Sequence, residues 1–138
     1  MITFNILLEG FELKNPENLK SWLKEIISEN NRTLGEIVYV LADDTHIHKI
    51  NKDFLNHDTL TDIITFDTSV DLNVISGEIF ISIERVKENA IKQNQSLDYE
   101  FARVLVHGVL HLIGYDDKTP EQKLKMRAKE DYCLNLLP

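Results

Sequence analysis

The sequence predicts an α+β protein, a small four-stranded mixed sheet packed with about five helices. Two patterns carry that expectation. Short β-branched and aromatic segments are concentrated early, helical periodicity is concentrated late, and the two interleave in the middle. Composition sets the frame. At 138 residues, 43% hydrophobic and 28% charged, the chain has the size and balance of one globular domain spanning 1–138. Its pattern does not fix the strand order.

Residues 2–8 read as the first strand. Asn15-Pro16-Glu17 follows as an N-cap with proline at the first helical position. Leu19, Trp22, Leu23, Ile26 and Ile27 recur at helical spacing to about Glu29, where Asn30-Asn31 stops the helix. Segment 36–42 is a strand by its β-branched and aromatic content. Asp43-Asp44-Thr45 can cap a helix carrying Ile47, Ile50 and Phe54 on one face. Segments 62–66 and 77–82 give the third and fourth strands, and helices follow over about 83–93 and 98–113. The last helix opens at Thr119-Pro120-Glu121-Gln122, a capping box with proline just inside.

Some function classes are disfavoured at once. No apolar run approaches the roughly 20 residues of a membrane helix. The N-terminus lacks a basic region and a small-residue cleavage site, so a cytoplasmic protein is expected. A lone cysteine, Cys133, allows no internal disulfide and reads as a small buried side chain. The net charge of −8 runs against a broad nucleic-acid footprint, although Arg85, Lys87, Lys92 and Arg103 fall in one region and Lys118, Lys123, Lys125, Arg127 and Lys129 in another.

The chemistry is concentrated in residues 106–117. His107 and His111 stand four apart on a helix, so both imidazoles share one face and can hold adjacent corners of a metal's coordination shell. Gly114 can take a positive φ, end the helix and turn the chain back. That return brings Asp116 or Asp117 within reach as a third ligand, leaving a position open for water, as hydrolytic zinc sites require. The bland alternative is two ordinary histidines before a glycine cap. The pattern resembles the metzincin peptidase signature with its third histidine replaced by aspartate. Those peptidases carry a glutamate base directly after the first histidine, where this chain has Gly108, which transfers no proton.

Residues 107–117 also resemble the hallmark of the YbeY family, His-Gly-x-Leu-His-Leu-x-Gly-Tyr-Asp-His, departing only at Asp117. Asn51-Lys52-Asp53-Phe54 with Thr61-Asp62-Ile63-Ile64-Thr65-Phe66, and Gly77-Glu78-Ile79-Phe80-Ile81-Ser82, resemble two further family segments in the same order and spacing. The resemblance implies a zinc-dependent, single-strand-specific endoribonuclease acting in 16S rRNA 3′-end maturation and ribosome quality control. It implies one zinc ion per chain at the base of a cleft, with single-stranded RNA and the small ribosomal subunit as partners; a ribosomal protein supplying positive charge is a further candidate partner that the sequence itself does not show. Asp117 takes the third-ligand position of the family pattern, with an anionic donor in place of a neutral one. Such a set acidifies bound water less and favours harder ions. The family's usual arginine after the Asn-x-x-Tyr/Phe segment is Leu55 here; Lys52, His57 and Arg103 are candidates to compensate at a substrate phosphate, though nothing in the sequence requires it.

Asp62 and Glu78 open the two matching strand segments. They are candidates to orient a ligand histidine or to act as base, against the plain alternative of strand-end residues facing water. Arg103, one turn before His107, can bind substrate phosphate or pair with Glu100. Thr61 and Thr65 are expected to serve the backbone, Tyr115 to pack over the glycine turn, Trp22 to sit in the core, and His46 and His48 to face different sides of their helix. The readings of another class are a ribosome-associated RNA-binding factor with a structural metal, and a metal hydrolase of another substrate.

Overall fold

In a computed structural model, the protein is described over residues 1–55 and 61–137. The element order is β1 (Ile2–Ile6), α1 (Pro16–Glu29), β2 (Thr33–Ala42), α2 (Asp44–Leu55), β3 (Ile63–Asp67), β4 (Val74–Ser82), α3 (Ile83–Lys92), α4 (Leu97–Ile113) and α5 (Pro120–Asn135). The four strands form one sheet in the order β1-β2-β4-β3. β1 and β4 flank β2 in parallel, and β3 runs antiparallel along β4, so the sheet is mixed as expected.

Strand alternation divides the molecule into two packed layers. Ile37, Tyr39 and Leu41 of β2 and Ile75, Ile79 and Ile81 of β4 are sealed in the main core with α1, α3, α4 and α5. On the opposite face α2 lays Ile47 against Ala42 and Ile64, with Ile50, Phe66 and Phe80 around them. α4 is the central helix: Phe101, Val104, Leu105, Val106, Val109, Leu110, Leu112 and Ile113 are all buried, on more than one side of it. The Tyr39 hydroxyl, reaching up from the sheet, donates to the Leu105 carbonyl at 2.8 Å and fixes where α4 lies over the strands. At the far side, Trp22 Nε1 donates to the Cys133 carbonyl at 2.8 Å, joining α1 to α5. Cys133 is fully buried, and burial pushes its thiol up to about 11.

Three local expectations are corrected. Asn15 precedes α1, but at φ 51° and ψ 51° its side chain caps nothing; Pro16, which needs no acceptor, starts the helix. The apolar face of α2 outlasts its packing partner: Ile47 is sealed, while Phe54 is 73% exposed. β2 and β4 each begin three residues earlier than their apolar content suggests. Their extra pairing, Thr33 with Val74 and Leu34 with Ile75, is short and cut off from the main ladder at Gly35, where the register shifts between Leu34 and Ile37.

Candidate metal centre

The last turns of α4 carry both histidines over the β3 side of the sheet. His107 and His111 are half-buried, their rings 4.7 Å apart at 76°. Gly108 between them faces inward, where a Cβ would lie 2.9 Å from Ile79 Cδ1 and 3.2 Å from Ile63 Cδ1. The glycine therefore lets the helix approach the sheet, and the position that carries the base in metzincins is packed against the sheet here.

Gly114 ends α4 at φ 126°, its N–H donating to Leu110 and His111 carbonyls at 3.1 Å. Tyr115 packs against the core, so the next residues swing back over the helix end. Asp117 arrives with Oδ2 3.3 Å from His107 Nε2 and Oδ1 3.5 Å from His111 Nε2. Donors bound tetrahedrally at zinc–ligand lengths of about 2.1 Å stand about 3.4 Å apart, so the group fits one such ion. One donor from each of the three residues lies within 4.8 Å of the others. Asp116, the alternative third ligand, is exposed. The capping box then closes the segment: Gln122 N–H donates to Thr119 Oγ1 at 3.1 Å, and Lys118 and Thr119 N–H donate to Gln122 Oε1 at 3.0 Å. Asp117 is thus tied between a helix stop and a helix start.

Behind the histidines lies a carboxylate that the sequence did not point out. Glu130, on the inward face of α5 and 2% exposed, places Oε2 2.6 Å from His107 Nδ1. Its Oε1 accepts from Arg103 Nη1 at 2.9 Å. Arg103 Nε donates to Glu100 Oε1 at 2.9 Å, and its Nη2 also meets Glu100, a fully buried residue. Burial works against both charges. Hydrogen bonds and charge from Glu100 and Glu130 outweigh it at Arg103 and hold its pKa high; those from His107 and then Arg103 outweigh it at Glu130 and hold its pKa low. The sequence signal for Glu130 is its place among Met126, Cys133 and Leu134, the buried side of α5.

A cleft of about 530 Å³ opens in front of this group, bounded by Thr61, Asp62, Thr65 and Asp67 on the β3 side and by Arg103, His107 and His111 on the α4 side, with Leu55 and Asp117 completing its lining. Asp62 is half-buried there. Burial raises its carboxyl pKa, partly offset by the charge of His107, and Asn89 Nδ2 lies 3.4 Å from Oδ2. Glu78 takes the plainer of its two alternatives: β4 points Gly77 and Ile79 at α4, and the alternation turns Glu78 to the other face, exposed and outside the cleft lining. Arg103 takes the pairing alternative, Nε and Nη2 meeting Glu100 and Nη1 meeting Glu130, while still lining the cleft. Thr61 Oγ1 donates to the Ile63 carbonyl at 3.2 Å, a backbone role as expected. Lys52 is exposed at the end of α2. His57 lies outside the described residues.

A mixed sheet crossed by a helix that ends in a His/His/Asp group defines an α+β protein with a candidate mononuclear metal centre. Comparison with known proteins makes this specific. Residues 8–138 match the family model described as endoribonuclease YbeY, and the chain belongs to that family. Among its relatives, the endoribonuclease YbeY of Flavobacterium johnsoniae is 50% identical over 95% of this chain and 93% of its own length. That of Flavobacterium psychrophilum is 45% identical over 99% and 96%, and that of Porphyromonas gingivalis 37% identical over 99% and 91%. A Thermotoga maritima protein known from its solution structure superposes with a TM-score of 0.65 at 29% identity, covering 97% of this chain and 87% of that one.

Proposed function

We propose that residues 1–138 act as a single metal-dependent hydrolase domain, a single-strand-specific endoribonuclease of rRNA maturation at the 16S 3′ end and of ribosome quality control. The observation that carries the proposal is the donor group of His107, His111 and Asp117 at the foot of a cleft, in a chain whose relatives are named endoribonucleases. These three residues hold one zinc ion, with the anionic Asp117 letting harder ions compete. An ion held there supplies positive charge for phosphoryl oxygens and acidifies a water molecule. Asp62 is the chain's proton acceptor on the opposite wall, its affinity for a proton raised by burial. Thr61 and Thr65 line the wall beside it.

Substrate charge is met outside the cleft. Arg103 is engaged, whereas Lys118, Lys123, Lys125 and Arg127 are exposed in and after the loop that carries Asp117. Single-stranded RNA entering the cleft would lay flanking phosphates along this strip of α5. The partner is the small ribosomal subunit, with a ribosomal protein beside the RNA, and the setting is the cytoplasm; among the described residues no helix is long and apolar enough to cross a membrane.

Elemental analysis of the purified protein and of His107→Ala comes first. Near-stoichiometric zinc in the parent and its loss in the variant are expected, with cleavage of single-stranded but not duplex RNA that His107→Ala, His111→Ala and Asp117→Ala each abolish. RNA affinity without cleavage, unaffected by a chelator, would instead establish a ribosome-associated binding factor, the reading that the acidic cleft wall and Leu55 favour.

A further inference from the structure

We propose that Glu130 is a positioning residue for the metal centre, selecting the tautomer of His107 that turns a bare Nε2 toward Asp117. The inference rests on the metal site proposed above and adds to it a residue outside the donor group. It follows from hydrogen-bond accounting. Glu130 Oε1 already accepts from Arg103, and Arg103 is itself fixed by fully buried Glu100. An ionised carboxylate only accepts, so the 2.6 Å contact at Oε2 requires the proton to sit on His107 Nδ1. A neutral imidazole with its proton there has a free lone pair at Nε2, the atom 3.3 Å from Asp117 Oδ2. The chain Glu100–Arg103–Glu130–His107 thus begins in the core and ends at a donor atom. Among the described residues no second carboxylate backs His111.

Glu130→Gln tests this with almost no change of shape. Arg103 needs an acceptor, so the amide turns its oxygen to Arg103 and its NH2 to His107 Nδ1. The histidine is driven to carry its proton on Nε2, where a metal should bind. Zinc affinity, read by competition with a chromophoric chelator, is expected to fall about 10–100-fold. The far-UV circular dichroism of the metal-free protein should stay unchanged, and cobalt placed in the site should give an altered visible spectrum. The parent supplies an independent reading: long-range proton–nitrogen NMR of the metal-free protein at alkaline pH should find the His107 proton on Nδ1. Zinc bound as tightly by Glu130→Gln as by the parent would overturn the inference and leave the metal site standing. A parent His107 proton on Nε2 would overturn it even if the variant failed to fold. A parent that binds no zinc would instead remove the metal-site reading on which the inference rests.

Discussion

Gly108 shows how much of the site depends on one missing side chain. A methyl group there would press on Ile79 Cδ1 at 2.9 Å and Cγ2 at 3.1 Å. Gly108→Ala gains about 1 kcal/mol of helix propensity and loses about 1–3 kcal/mol to overpacking; a net destabilisation is expected in a denaturant titration. Gly77→Ala should be worse, since its Cβ would meet the Phe66 carbonyl oxygen at 2.8 Å, and backbone cannot turn aside. Asp62 is expected to separate activity from stability. Its folded pKa is raised, so the folded chain binds its proton more tightly than the unfolded one, and stability falls as pH rises from the ordinary carboxylate value through the raised one. Asp62→Asn should therefore melt higher than the parent at neutral pH, the advantage vanishing in acid, while kcat on RNA falls about 100-fold or more. The histidine spacing, the glycine stop and Asp117 were legible in the sequence because they lie within one turn-and-loop segment. Glu130 was not, because only the packing of α5 on α4 brings it to a residue 23 positions away. The choice between the two readings of Glu78 was open for a related reason: the face a strand residue takes depends on which layer lies above it.

At the scale of elements, the unit that matters is α4, its glycine turn and α5. The loop is short and pinned at both ends, so the two helix ends set where the Asp117 carboxylate lies. Thr119→Ala removes one side of the capping box and should cost about 1 kcal/mol of stability. Metal affinity should weaken with it, because the turn loses its downstream anchor; unchanged zinc binding in a titration would show that Gly114 suffices. Helix starts and stops were largely legible, because Thr119-Pro120, Asn30-Asn31 and Gly114 are local devices. Strand starts were less so, since Thr33 and Gly35 extend β2 through pairing with β4 rather than by their own preference. The order β1-β2-β4-β3 depends on which crossovers pack, and the periodicity of single segments does not contain it.

For the whole molecule, the net charge of −8 and the acidic wall of the cleft shape how RNA is met. If exposed cations on α5 meet the flanking phosphates, Lys123→Gln with Lys125→Gln should weaken RNA binding while leaving zinc uptake intact. The slope of log affinity against log salt should become shallower by about 1.4, at about 0.7 per lost phosphate contact on a single strand. An unchanged slope would place the RNA elsewhere. The bond from Trp22 to the Cys133 carbonyl has a consequence of an optical kind. Trp22 is the chain's only tryptophan, 2% exposed and fastened to the helix that carries Glu130. Its fluorescence is therefore a built-in gauge of whether α5 is seated. A blue-shifted emission that persists when the ion is stripped would mean the scaffold outlives its metal, and a red shift would mean that the C-terminal helix leaves with it.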